Sequence, residues 1–159
     1  MPVWIVEVFG SRQLNQAFWL INATVAPFWI LMILFPYNKW IRWICHPFFV
    51  PALLGVFYLY LVYLLVTVTG VPPLAGLEVR ALRRFIDHPI VFLVIWAHYM
   101  TVDLFLGMAI YQHAARRRIK APFELMLTWM LGPAGLVAYM ARLIFVYRSL
   151  KTVRGLFGK

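Results

Sequence analysis

The sequence has few charged residues and almost no cysteine, and both shortages narrow the class of protein. Only 13% of its 159 residues are charged, with 15 Lys and Arg against 5 Asp and Glu. A soluble domain of this length needs a more heavily charged surface, so we exclude a water-soluble globular fold. Cys45 is the only cysteine, which excludes an intrachain disulfide and leaves the redox compartment open. We expect its thiol to be buried or interfacial.

The sequence also lacks the motifs of several enzyme classes. It contains no P-loop, no nucleophile elbow and no glycine-rich dinucleotide fingerprint, so hydrolase and kinase chemistry has no support. The four histidines form no i,i+4 pair and no recognised metal motif. We therefore expect neither a metal nor a cofactor. The histidines are His46, His88, His98 and His113.

Long apolar stretches are abundant: 64% of the residues are hydrophobic, and the mean hydropathy is +0.83. Four blocks reach the length of about 20 residues that a helix needs to cross a bilayer. Backbone groups in hydrocarbon must be hydrogen-bonded within their own segment, which favours helices. The sequence predicts an all-α integral membrane bundle of four transmembrane helices, forming a single domain over residues 1–159. The predicted spans are 14–35, 48–69, 89–111 and 122–147.

Basic residues gather at the ends of these spans and give a net charge of +10. There they meet lipid headgroups, so we expect membrane lipid as a partner and no nucleic acid. Four alternating spans would place eight basic residues on the side of the termini and six on the other. The wholly basic tail leads us to expect both termini in the cytoplasm, and the compact chain favours a bacterial inner membrane.

An ionisable group inside a membrane span is costly and indicates a functional site by default, which draws attention to Asp103 in the third span. At ~1.5 Å per helical residue, Asp103 lies at the level of Gly132 and Pro133 in the fourth span. Pro133 has no N–H, so the carbonyl of Trp129 is open to a protonated Asp103. The alternative is a structural tie between helices, without a catalytic role.

His98 is the second ionisable residue of the third span. The same estimate of depth places it near Asn22 and Tyr60, where a polar triad could form. Five positions, or about 140° around a helix, separate His98 from Asp103. The two side chains therefore do not share a face, but they could flank a ligand.

Two charged residues lie in the fourth predicted span. Glu124 is in its first turn, where a carboxylate is favoured by the helix dipole. Arg142 is near its other end, and we expect it to extend towards Asp87 and the membrane interface.

Aromatic residues make up 18% of the chain. Rings inside the bundle could grip a long apolar ligand, although aromatic residues in membrane proteins also pack or anchor at the interface. We predict a substrate-binding set formed by Asn22, Trp29, Tyr60, Trp96, Tyr99 and Trp129.

Several stretches of the sequence resemble the motifs of a known family, in the same order and at similar spacing. They are Pro27–Met32, Trp96–His98, Asp103–Gly107 and Gly132–Leu136. The last stretch continues to Tyr139 and Arg142. Together they resemble the signature of the abscisic-acid-deficient-four-like family, whose plant members are neoxanthin synthases. The resemblance covers roughly residues 15–145.

The resemblance implies a four-helix membrane protein that acts on a carotenoid or related isoprenoid, as an isomerase of the neoxanthin-synthase type. Opening an epoxide to an allene needs an acid at the ring oxygen and a base at the polyene, without a redox cofactor. A carboxyl in an apolar site stays protonated, whereas an imidazole there stays neutral and accepts a proton. We therefore predict Asp103 as the catalytic acid and His98 as the base.

Two other classes of function remain open. The chain could be a non-catalytic membrane subunit that binds pigment or lipid and stabilises a larger complex, as a homo-oligomer or with a membrane-complex partner. A proton or solute carrier that uses Asp103 is the weaker alternative, because four spans without inverted repeats make a small transporter.

Overall fold

The computed structural model describes residues 11–67 and 78–157, and all regular secondary structure in these ranges is α-helical. This confirms the all-α prediction for the described residues. The end of the second predicted span, at 68–69, lies outside them. The helices are α1 (Ser11–Leu34), α2 (Lys39–Ile44), α3 (Val50–Thr67), α4 (Val79–Ile86), α5 (Pro89–Arg116), α6 (Pro122–Leu131) and α7 (Pro133–Phe157).

Three of these helices are long and apolar enough to cross a membrane. They contain the stretches Arg12–Leu34, Val50–Thr67 and Pro89–Arg116. Each coincides with a predicted span, and Pro89 opens α5 in a first-turn position, where its missing N–H costs little. The chain is therefore a membrane protein of helical type, and the first three predicted spans are confirmed as helices.

The fourth predicted span, residues 122–147, is not one helix in the structure, and among the described helices three are candidate membrane spans, not clearly four. The segment breaks at Gly132, which has φ 51° and ψ −106° and separates α6 from α7. A left-handed φ suits glycine, and Pro133 then begins the next helix with its φ already fixed. The ten residues of α6 span about 15 Å, roughly half of the hydrocarbon core.

After the break, α7 folds back along α6 instead of continuing it. The Nη1 atom of Arg142 lies 2.8 Å from the Oε1 atom of Glu124 and 2.8 Å from the carbonyl oxygen of Lys120. A continuous helix would separate residues 124 and 142 by about 27 Å. The fourth hydrophobic block is therefore an antiparallel helical hairpin, which we call the α6–α7 hairpin, with its tip at Gly132.

Gly135 sets how closely the two helices of the hairpin approach. A Cβ atom at this position would clash with the backbone nitrogen and the hydroxyl of Thr128, and would lie 2.6 Å from the carbonyl oxygen of Glu124. The Thr128 hydroxyl donates to that same carbonyl at 2.7 Å. Only a glycine allows this contact without displacing backbone atoms.

The described residues form two compact units. The first comprises residues up to Pro27 and Phe48–Val102, and its core contains Ile21, Leu61, Ile90, Leu93, Val94 and Ala97. The second comprises Phe28–Pro47 and the residues from Asp103 onward, and it contains the α6–α7 hairpin.

In the second unit, α5 is tied to the segment after α1 by side-chain hydrogen bonds. The Tyr111 hydroxyl donates to the carbonyl oxygen of Phe35 at 2.9 Å. The Gln112 amide donates to the carbonyl oxygens of Arg42 and Cys45. Cys45 is fully buried, as expected, and burial raises the pKa of its thiol to about 11.

Candidate functional site

Asp103 projects against the tip of the α6–α7 hairpin. A Cβ atom built on Gly132 would lie 2.6 Å from Asp103 Oδ1 and 3.4 Å from Oδ2, so the carboxyl group occupies the space that glycine leaves. Asp103 is the fifteenth of the 28 residues of α5, which is its midpoint. Asp103 and Gly132 therefore lie at the same level, as predicted. Gly132 reaches this level as the tip of a hairpin and not as part of a continuous helix.

An aromatic pair lies on the same face of α5. Gly107 is one helical turn after Asp103 and shares its face, and the Trp29 ring rests so close to Gly107 that a Cβ atom there would clash with it. Trp29 is 1% exposed and stacks on Trp129 of α6, with 6.1 Å between ring centres and 8° between ring planes. We call Asp103, Gly107, Gly132, Trp29 and Trp129 the hairpin-tip site.

Chemically, the hairpin-tip site combines one carboxyl group with two indole rings beside a helix break. The break leaves backbone groups near Gly132 without the hydrogen bonds of a continuous helix, although the Gly132 N–H still donates to Thr128 at 2.7 Å. Non-helical backbone at membrane depth is tolerated where protein buries it. Such a site can deliver a proton to an apolar ligand and hold the ligand on an aromatic surface.

A second polar cluster lies at the open end of the hairpin. Glu124 is 4% exposed, and its Oε1 atom forms a salt bridge of 2.8 Å with Arg142. Its Oε2 atom is buried without a hydrogen-bond partner in the described part of the chain. Arg142 therefore does not extend towards Asp87, as the sequence suggested, but clamps α7 onto α6.

His113 extends this cluster towards the end of α5. Arg117 Nε lies 3.0 Å from His113 Nε2, and His113 Nδ1 lies 2.7 Å from the Tyr139 hydroxyl. Because arginine can only donate, His113 Nε2 is the acceptor, and in a neutral ring Nδ1 carries the proton and donates to Tyr139. Tyr139 is 3% exposed. Sequence reasoning missed this cluster, and the only available signal was the i,i+4 spacing of His113 and Arg117.

Of the predicted site residues, Asp103, Trp29 and Trp129 belong to the second unit. The remaining ones belong to the first unit. The exposed ring of His98 contacts Tyr58 at 5.6 Å and Tyr99 at 6.2 Å between ring centres. Asn22 donates at 2.8 Å to the carbonyl of Phe18 in its own helix. The polar triad expected between His98, Asn22 and Tyr60 is thus not among the contacts of the described residues.

Trp96 and Tyr60 occupy two separate places in the first unit. Trp96 packs on Phe18 and Phe92, with ring centres 5.3 and 6.0 Å away, and its Nε1 atom is buried without a described partner. Tyr60 lies in an apolar groove of about 410 Å³. The groove is lined by side chains of α1, α3 and α5, among them Leu20, Phe57, Leu61 and Leu93.

His88 precedes α5 in the first unit and was not assigned a role from sequence. It is 7% exposed, and neither ring nitrogen has a hydrogen-bond partner among the described residues. Burial lowers the pKa of the imidazole. Burial therefore favours the neutral form of His88. No cluster of three or more metal-ligating side chains occurs in the described ranges.

Comparison with known proteins defines the class to which this fold and site belong. The model of the ABA DEFICIENT 4-like family matches residues 16–139. This range runs from α1 to the first turns of α7. The chain is a helical membrane protein, and it belongs to the ABA DEFICIENT 4-like family. No curated protein and no solved structure matches it.

Proposed function

We propose that this protein isomerises a carotenoid or related isoprenoid by acid/base chemistry, as in the opening of an epoxide. The observation that carries the proposal is the position of Asp103, whose carboxyl group lies against Gly132 at the tip of the hairpin. Membership of the ABA DEFICIENT 4-like family supports the ligand class, through the resemblance to neoxanthin synthases.

In the proposed reaction, Asp103 donates its proton to the epoxide oxygen as the ring carbon–oxygen bond breaks. His98 removes a proton from a carbon of the adjacent polyene, and that electron pair forms the new double bond of the allene. The product is an isomer, so neither an oxidant nor a reductant is consumed. Proton return from the imidazolium to the carboxylate restores both groups.

We expect the ligand to be held by the aromatic residues of the predicted binding set. Trp29 and Trp129 stack beside Asp103, while Tyr60 lines the apolar groove and Tyr99 lies beside His98. Asn22 and Trp96 complete the predicted binding set. A long polyene is apolar along its whole length and can pack against such a series of rings.

Expression in a host that accumulates an epoxide carotenoid tests this function. Chromatography of extracted pigments should reveal a new species of unchanged mass in cells that carry the protein. Cells with an empty vector provide the control. Pigment that co-purifies with the protein but is not converted would contradict catalysis and favour a non-catalytic pigment- or lipid-binding subunit, for which the apolar groove is the candidate binding surface.

The hairpin also leads to a proposal for membrane orientation. If α1, α3 and α5 each cross once and the hairpin returns to the side it entered, the two ends of the chain lie on opposite sides. Eleven of the 15 Lys and Arg residues then share the side of the C-terminus, including Lys39, Arg42, Arg116 and Lys120. The positive-inside rule therefore places the C-terminus in the cytoplasm and the N-terminus outside it. We propose this orientation, in a bacterial inner membrane, and the two cytoplasmic termini expected from the sequence stay the alternative.

Reporter fusions test the orientation. A fluorescent protein that folds only in the cytoplasm should be bright when fused after Lys159 and dark when fused before Met1. Alkaline phosphatase, which is active only outside the cytoplasm, should give the reverse pattern. Equal fluorescence from both fusions would show that the termini share one side and that the segment 122–147 crosses the membrane.

A further inference from the structure

A basic groove lies in the second unit where α1 and α5 end. It has a volume of about 510 Å³ and is lined by Tyr37, Lys39, Arg42, Ala115 and Arg118. Three of these five residues are cations and none is acidic. Lys120 adds a fourth positive charge, since its Nζ atom lies 6.0 Å from the centre of the Tyr37 ring.

These cations have no acidic partner among the residues that the structure describes. Lys39, Arg42 and Arg118 form no salt bridge in the described part of the chain, where the one carboxylate in a salt bridge, Glu124, pairs with Arg142. Like charges gathered around a cavity repel one another and create a positive potential. A bound anion would offset that potential.

Hydrogen bonds to backbone carbonyls fix the chain at two of the basic residues. The Tyr37 hydroxyl donates to the carbonyl oxygen of Arg118 at 3.1 Å, and Gln112 holds the carbonyl of Arg42. Arg118 itself has a left-handed φ of 56°, which is uncommon for a residue other than glycine. The groove is therefore shaped by its surroundings before any ligand binds, which reduces the cost of ordering on binding.

The aromatic residues of α2 indicate the depth of the groove. Trp40 and Trp43 flank Arg42 within α2, and each is 77% exposed. Exposed tryptophans at the end of a span belong at the level of lipid headgroups. The groove thus lies where phosphate groups of phospholipids are concentrated.

We propose that this groove binds a phosphate group, supplied by an anionic phospholipid of the surrounding membrane. Arginine side chains bind phosphate oxygens in a bidentate manner, and lysine adds a point charge. A soluble diphosphate has the same chemistry and is the alternative source of the phosphate group. The site is distinct from the hairpin-tip site and does not depend on the proposed catalytic function.

Native mass spectrometry of the full-length protein tests the site. The purified protein would be titrated with phosphatidylglycerol, alone and together with soluble diphosphate. The groove variant combines Lys39→Gln, Arg42→Gln and Arg118→Gln. The control variant combines Arg80→Gln, Arg83→Gln and Arg84→Gln, which removes the same number of exposed charges from α4.

We expect phosphatidylglycerol affinity to fall roughly fivefold for each cation removed from the groove and to stay near wild type in the control. Failure of diphosphate to displace the lipid identifies the phospholipid as the source. If diphosphate displaces the lipid and also binds directly, the groove is a phosphate site whose ligand comes from a soluble source. Equal losses in both triple variants, or no loss in either, would overturn the proposal. Arg42→Gln alone leaves the backbone bond to Gln112 intact and gives the same test if the triple variant misfolds.

Discussion

Replacing Asp103 with asparagine should abolish pigment conversion while leaving the protein folded. Asparagine has nearly the same shape and fits against Gly132, but it cannot donate an acidic proton to an epoxide oxygen. Loss of a positioned general acid typically lowers the rate by about 100-fold to 10,000-fold. Conversion measured by chromatography in carotenoid-producing cells should therefore fall below detection, while bound pigment is retained.

Asp87→Asn provides the matched control for this experiment, because it makes the same chemical change in the turn before α5. Its conversion should equal that of the wild type. An Asp103→Asn variant that still converts pigment at a comparable rate would remove Asp103 from the mechanism. It would leave the carboxyl group as a structural tie between α5 and the hairpin tip.

Replacing Gly135 with alanine should destabilise the α6–α7 hairpin strongly. The added methyl group meets the backbone nitrogen of Thr128, which cannot rotate away, so the two helices must separate. Overpacking of this kind costs about 1–3 kcal/mol and more where backbone must move. The melting temperature in detergent, followed by size-exclusion chromatography of heated samples, should drop by several degrees.

Gly55→Ala is the control, because the space around Gly55 in α3 is open within 4 Å. There the same substitution should be neutral or slightly stabilising, since alanine favours a helix by up to about 1 kcal/mol over glycine. If the two variants melted at the same temperature, the close contact between α6 and α7 would be refuted. The fourth block would then be free to cross the membrane as one helix.

Hydropathy and proline positions were sufficient to predict α1, α3 and α5, because a spanning helix must satisfy its own backbone within an apolar stretch. They were not sufficient for residues 122–147. A glycine followed by a proline can bend a helix or reverse it, and both outcomes leave the same apolar composition. The salt bridge between Glu124 and Arg142 distinguishes the two, and it joins residues too far apart in sequence to be recognised as a pair.

The candidate site was predictable only in part. Asp103 was identified by the cost of a charge in hydrocarbon, and its level relative to Gly132 followed from helical rise. The stacking of Trp29 on Trp129 and the fit of Trp29 against Gly107 depend on side-chain packing in three dimensions. Neither the His113–Tyr139 pair nor the basic groove could be predicted, since each joins residues from separate parts of the chain.

Isomerisation is tested most directly with purified protein in lipid nanodiscs, supplied with an epoxide carotenoid and no other reagent. We expect a product of identical mass and altered retention, formed without an added metal, nucleotide or redox partner. A product that differs in mass, by the addition of water or oxygen or by the loss of hydrogen, would contradict isomerisation by Asp103 and His98. An unchanged substrate would contradict it equally.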